Sequence, residues 1–225
     1  MRRLGLFGGT FDPVHLGHVV PAVRALETFL FERLVFVPAF NPPHKLGEPL
    51  TPFPHRFAML ALATQSYDHF LVSAVEAERE GPTYTFDTVR SFRERFAAEQ
   101  LYFLMGSDSF SQIETWHRWQ ELVDLVHLVV LHRDTVWGEA LEARVPGPLR
   151  GRMRRVEPFQ TVPDSEPGST WIYLLEHEPF PVSATQLRER LRLGRSIHEL
   201  VPPEVHRYIV KHHLYDQGVG PGDGS

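Results

Sequence analysis

The stretch "GLFGGTFDPVHLGH", residues 5–18, decides how this chain folds. An apolar run, "RLGLF", ends in paired glycines, which reads as a buried strand entering a tight loop. Beyond the loop, "GHVVPAVRALETFLFER" carries Val19, Val20, Val23, Leu26, Phe29 and Leu30 near helical spacing. Pro21 is expected in the first turn of that helix, where proline is tolerated. Strand, glycine loop and amphipathic helix together make the first half of a βαβ unit.

The same alternation continues downstream. "RLVFVPA" (33–39), "HFLVSAVE" (69–76), "LYFLMG" (101–106), "HLVVLHR" (127–133) and "STWIYLLE" (169–176) read as further strands. "FPHRFAMLALATQS" (53–66), "TYTFDTVRSFRERF" (83–96) and "SFSQIETWHRWQELVDL" (109–125) read as the helices between them, and two more helices, 183–194 and 203–214, close the chain. Repeated βαβ units are right-handed and build a mainly parallel sheet. The expected class is α/β: a Rossmann-like, doubly wound sheet flanked by helices, with C-terminal helices. Residues 1–215 are expected to form a single domain. Residues 134–170, irregular and rich in proline and glycine, read as a connecting excursion. The Gly-rich tail "DQGVGPGDGS" (216–225) is expected to be disordered.

Composition narrows the function. The 225 residues include no cysteine, which removes disulfide scaffolds, thiolate metal sites and cysteine nucleophiles. A net charge of -5 argues against a general nucleic-acid binder. Apolar runs such as "LVVL" fall far short of the roughly 20 residues of a membrane span. The N-terminus reads as strand then loop rather than signal peptide, so the expected location is cytoplasmic. A homo-oligomer is left open.

Ligands of open parallel sheets bind beyond the carboxyl ends of the strands, at the topological switch point. The opening loop lies where such a ligand goes. Gly8 and Gly9 are expected to let backbone N–H groups approach it, and the helix start offers further N–H groups and a positive dipole end, which suit phosphate. His15 and His18, three apart, are expected to share one face, to gain positive charge readily and to donate to phosphate oxygens. The alternative is plain turn chemistry with ordinary histidines. The dinucleotide fingerprint G-x-G-x-x-G, the P-loop and H-E-x-x-H are all absent, and no zinc-like carboxylate spacing accompanies the histidines.

Other motifs fall at other strand ends. "NPPHK" (41–45) is a rigid loop with one cation, or a simple proline turn. In "GPTYTFDT" (81–88), Thr83 or Thr85 is a helix N-cap or part of an anion-binding helix start. Asp108 in "MGSDSF" is an N-cap or a nucleotide contact, and Trp116 and Trp119, three apart on one helix face, are core or stacking residues. "VSATQLRERL" (182–191) holds an S-x-x-Q capping box, Ser183 with Gln186, which also suits an anion together with Thr185 and Arg188. Arg133 is a further cation after a strand. "RGRMRR" (150–155) reads as a solvated face.

"GGTFDPVHLGH" resembles the signature of the HxGH nucleotidyltransferases, and the motifs taken in order, over about residues 3–215, are similar to bacterial nicotinate-nucleotide adenylyltransferases. That resemblance implies ATP and nicotinate mononucleotide as substrates, with Mg²⁺ carried mainly on the ATP phosphates and no protein metal site. It implies ATP contacts from Gly8, Gly9, Thr10, Phe11, His15, His18, Asp108, Arg133, Ser183, Thr185 and Arg188. It implies mononucleotide contacts from Gly9, Thr10, His44, Lys45, Tyr84, Thr85, Trp116 and His117, with Trp116 on the pyridine ring and Trp119 left in the core. His15, His18, Lys45 and Arg188 would be the catalytic set. Ala184 stands where the family motif usually has a second serine. Nicotinamide mononucleotide, phosphopantetheine and a non-catalytic nucleotide-binding role are the alternatives.

Overall fold

A computed structural model describes residues 2–43, 50–97, 99–133, 137–166 and 168–215. Seven strands form one all-parallel sheet: β1 Arg3–Gly9, β2 Arg33–Pro38, β3 Phe70–Val72, β4 Gln100–Gly106, β5 His127–Leu131, β6 Met153–Val156 and β7 Ile172–Leu175. Their spatial order is β3-β2-β1-β4-β5-β7-β6. The chain winds outward from β1 to β3 and then returns to pair β4 against the other side of β1. The switch point therefore opens between the carboxyl ends of β1 and β4.

Helices cover both faces: α1 Leu16–Phe29, α2 Phe53–Thr64, α3 Thr85–Arg95, α4 Ser107–Phe110, α5 Trp119–Leu125, α6 Glu139–Arg144, α7 Gly147–Arg150, α8 Ala184–Arg192 and α9 Pro203–Lys211. The central strands are apolar throughout because both faces are buried. Tyr102 and Leu104 of β4 pack with Phe7, Phe29 and Leu187 on one face, while Leu101, Phe103 and Met105 pack with Leu6, Val89 and Leu122 on the other.

The structure departs from the sequence reading at several places. Pro21 is the sixth residue of α1, not in its first turn, so the Gly17 carbonyl receives no helical N–H from it. The single helix expected over 109–125 is broken. Gly106 is the N-cap of the short α4, a 3-10 turn spans Ile113–Thr115, and Arg118 precedes α5 at φ 53°, a left-handed conformation no α-helix interior accepts. Trp116 and Trp119 thus do not share a helix face, and both are partly buried against the same core. Finally, "RGRMRR" is more than a solvated face: Met153–Val156 is an edge strand, paired with β7, with Arg154 and Arg155 outward. Charged residues suit an edge, where they discourage pairing with other chains.

Candidate active site

The opening loop leaves β1 at the switch point. Gly8 and Gly9 are half-buried, but the room they leave is filled by the chain itself. A Cβ on Gly8 would come within 2.6 Å of the Phe103 ring, and one on Gly9 within 3.0 Å of the Phe11 ring. The expected clearance for a ligand is therefore, in part, clearance for two phenylalanines. Gly8→Ala is expected to cost about 1–3 kcal/mol by overpacking. A melting-temperature comparison checks this, and adding Phe103→Leu should return part of the loss. Phe11 is 2% exposed and packs edge-on to Phe7 and His18, so only its backbone faces the loop surface.

His15 is the N-cap of α1 and His18 its third helical residue. Their rings lie 3.8 Å apart, centroid to centroid, and the His18 Nδ1 accepts the His15 backbone N–H at 3.3 Å. The pair is sunk into the protein, at 0% and 5% exposure. Burial, helped by the Arg133 guanidinium, pushes His15 down to about 3, and burial, His15 and Arg133 hold His18 well below its usual range. The sequence reading expected imidazoles that charge readily. In the free protein both are neutral at pH 7, because desolvation outweighs any gain from charge. A neutral His18 that accepts at Nδ1 carries its proton on Nε2. Both ring nitrogens of His15 are buried with no hydrogen-bond partner among the described residues. Unsatisfied buried polar atoms are rare in native proteins, which singles out this ring.

Other elements converge on the pair. A Cβ on Gly17 would touch both the His15 ring and Val182 at 3.0 Å, so the segment leading into α8 lies against α1 at Gly17. At α8 the capping box is complete: Ser183 Oγ accepts from the Gln186 N–H and Gln186 Oε1 accepts from the Ser183 N–H. The Ser183 hydroxyl proton is still available to a ligand. Thr185 is exposed, and Arg188 reaches back across 176 residues to donate from Nη1 to the Asp12 carbonyl at 2.7 Å. Not every N–H at the start of α1 is on offer, however, since Leu16 N–H donates to the Leu200 carbonyl at 3.0 Å. From β5, Arg133 extends over Gly106 beside the exposed Asp108; a Cβ on Gly106 would strike Asp108 Oδ1 and Arg133 Cδ. Asp108 is thus inside α4 rather than its N-cap.

A second group flanks Gly8 on the other side. Tyr84 is the N-cap residue of α3 and Thr85 its first helical residue, so neither Thr83 nor Thr85 is the cap. Thr83 is used otherwise, its Oγ1 accepting the Asn41 backbone N–H at 3.2 Å and its own N–H donating to the Asn41 carbonyl. The exposed His117 lies on the Tyr84 ring at 4.3 Å, and Trp116 meets Phe103 edge-on at 6.3 Å. Phe103 therefore touches both the glycine loop and the Trp116 segment. His44 and Lys45 lie outside the described residues. Among the described residues no three His, Asp or Glu side chains gather as a metal site, and no helix is long and apolar enough to cross a membrane.

Several residues of this region were not singled out in the sequence. Asp12 is 3% exposed, its carboxylate accepting from Tyr215 Oη at 2.6 Å and from the Thr51 N–H at 3.2 Å. Arg56, the most buried charged side chain, lies beneath the loop. One signal could have found Arg56: it occupies a position in register with Met59, Leu60 and Ala63, the buried face of α2.

A doubly wound parallel sheet with an H-x-G-H loop at its switch point defines a class, the cytidylyltransferase-like proteins, and that family's model matches residues 6–190. A protein of Thermomicrobium roseum named "Probable nicotinate-nucleotide adenylyltransferase" is 38% identical over 217 residues, 96% of this chain and 92% of its own. One of the same name from Pseudomonas aeruginosa is 39% identical over 219 residues, 95% of this chain and 97% of its own. This chain belongs to the nicotinate-nucleotide adenylyltransferase family. Its fold is similar to that of the Plasmodium falciparum nicotinic acid mononucleotide adenylyltransferase complexed with NaAD, at TM-score 0.75 and 19% identity over 98% of this chain and 100% of that one.

Proposed function

We propose that this protein transfers the adenylyl group of ATP to nicotinate mononucleotide, forming nicotinate adenine dinucleotide and pyrophosphate in NAD biosynthesis, as one nucleotidyltransferase domain over residues 1–215, in the cytoplasm. The observation that carries the reading is the buried His15–His18 pair, its rings 3.8 Å apart, with His15 unsatisfied and the Arg133 charge acting on both, at the switch point of the sheet. Neutral donors and fixed cations in a desolvated crevice suit a polyphosphate. Family membership and the group at Tyr84, Thr85, Trp116 and His117 support the acceptor.

In the reaction a phosphate oxygen of the mononucleotide attacks the α-phosphorus of ATP in line. The bond from that phosphorus to the α,β-bridging oxygen breaks, and pyrophosphate takes the electron pair. The nucleophile is an anion at pH 7, so no general base is required, and catalysis is positioning plus neutralisation of the leaving group. His15 and His18 donate N–H bonds to the α- and β-phosphates as neutral rings; a neutral donor costs less to keep buried than an imidazolium. Lys45 and Arg188 offset charge on the β/γ side. Gly8, Gly9, Thr10 and Phe11 offer backbone to ATP, Ser183 and Thr185 hydroxyls bind its phosphates, and Asp108 and Arg133 its nucleoside part. Gly9, Thr10, His44, Lys45, Tyr84, Thr85, Trp116 and His117 hold the mononucleotide. Mg²⁺ would enter with ATP, held mainly by the phosphate oxygens, which supply the hard ligands it prefers.

The deciding experiment measures pyrophosphate release from MgATP with nicotinate mononucleotide, nicotinamide mononucleotide or phosphopantetheine as acceptor. The nicotinate compound is expected to give the highest kcat/KM; release of pyrophosphate only with another acceptor, or with none, overturns the reading. Trp116→Ala is expected to raise KM for the mononucleotide about tenfold, the loss of one aromatic stack, with KM for ATP nearly unchanged. Equal loss for both substrates would make Trp116 a core residue alone.

A further inference from the structure

We infer that Arg56 is a positioning residue for the adenylyl transfer: its single guanidinium fixes the glycine loop against the β2–α2 loop and thereby sets Thr10 at the crevice. The inference rests on the proposed function above.

Arg56 is 1% exposed, the largest fully buried side chain among the described residues. Its Nη1 donates to two carbonyls, Thr10 at 2.8 Å and Ala39 at 2.7 Å, and its Nε donates to the Thr51 carbonyl at 2.8 Å. Each acceptor belongs to a different stretch. Thr10 is in the loop after β1, Ala39 follows β2, and Thr51 precedes α2. One further bond joins the first two stretches, from Ala39 N–H to the Gly9 carbonyl at 2.9 Å. The carboxylates of Asp12 and Glu76 act on the buried charge and offset it.

The arrangement differs from a generic core cation in what it holds. Arg93 of α3 also donates to carbonyls outside its own helix, those of Glu99 and Leu125, so what sets Arg56 apart is where its acceptors lie. All three acceptors of Arg56 are loop carbonyls, and one of them, Thr10, lies in the loop that runs from Gly9 to His15. A guanidinium offers its donors in a rigid planar fork, so the three carbonyls are held at fixed mutual angles. An ammonium on a flexible stem can supply the charge but not that geometry. Because both reacting phosphates are seated by these loops, a small displacement should reduce the rate of transfer more than the affinity for either substrate.

Arg56→Lys and Arg56→Met are compared with the wild-type chain for kcat, both KM values, circular dichroism and melting temperature. The expected result is a folded Arg56→Lys protein with kcat lowered about tenfold or more and both KM values within about threefold of wild type. Arg56→Met should be slower still. Methylguanidinium added to a folded Arg56→Ala protein should raise kcat without raising its melting temperature to the same degree. Folded Lys and Met variants with wild-type kcat overturn the inference. So does a loss of activity that only tracks the unfolded fraction, or failure of every variant to fold, because Arg56 would then hold the fold rather than set the loop. Absence of wild-type activity with nicotinate mononucleotide would instead overturn the proposed function.

Discussion

Replacing His18 by alanine lowers kcat by about 10²–10³, the usual loss when one preorganised donor to developing charge is removed. KM for ATP should rise much less, because the N–H bond to the phosphates strengthens only as negative charge moves onto pyrophosphate. The structure adds a control. His18 Nδ1 also accepts the His15 backbone N–H, so alanine disturbs the start of α1 as well as the chemistry. Asparagine keeps an acceptor at that position but has no donor reaching where Nε2 does. Similar losses in His18→Asn and His18→Ala would assign the effect to the donor. The two rings are in contact, so His15→Ala and the double variant should show strong non-additivity. A His18→Ala enzyme with near-normal kcat removes the catalytic role.

The second large effect is on stability against acid. His15 is depressed to about 3 and His127 to about 4, both chiefly by burial, from an ordinary value near 6.5. The unfolded chain binds these protons below pH 6.5 while the folded chain does not, so stability rises with pH across that window. It is fully present above pH 6.5 and is lost progressively as the pH falls towards 4 and then 3. His127 alone withdraws about 3 kcal/mol by pH 4, from a total that for most proteins is about 5–15 kcal/mol. Urea midpoints measured between pH 8 and pH 4 should fall steadily below 6.5. His127 accepts the Trp171 N–H at 3.0 Å through Nδ1, so His127→Asn keeps an acceptor and should flatten the slope. A midpoint independent of pH down to 4 would show that these rings are solvated.

Much of the site was legible as local pattern. The glycine loop, the H-x-G-H spacing, the capping box at Ser183 and the helix start at Thr85 are each written within a few residues. Their positions at strand ends follow from alternation alone, and the structure puts the H-x-G-H loop after β1, Thr85 at the start of α3 and Ser183 at the N-cap of α8. What escaped reading depends on distant partners. Arg188 and Asp12 meet across 176 residues, and nothing near either one announces the contact. Ser183 reads as a cap or as a ligand to anions; the structure shows the cap, and a capping hydroxyl keeps a proton to donate.

The amino-acid sequence by itself determined the periodicities, and with them the strands, most helices and a parallel, doubly wound sheet. It also determined the chemistry available at each strand end, because side-chain type and spacing are local properties. Only the tertiary structure decided the protonation of the histidines, since burial and the Arg133 charge both come from distant parts of the chain. Only it made Met153–Val156 a strand, because edge pairing with β7, not propensity, orders a segment so rich in arginine. And only it turned Arg56 from a charge on an apolar helix face into the common donor of three loop carbonyls, since those carbonyls converge only once the sheet has been assembled.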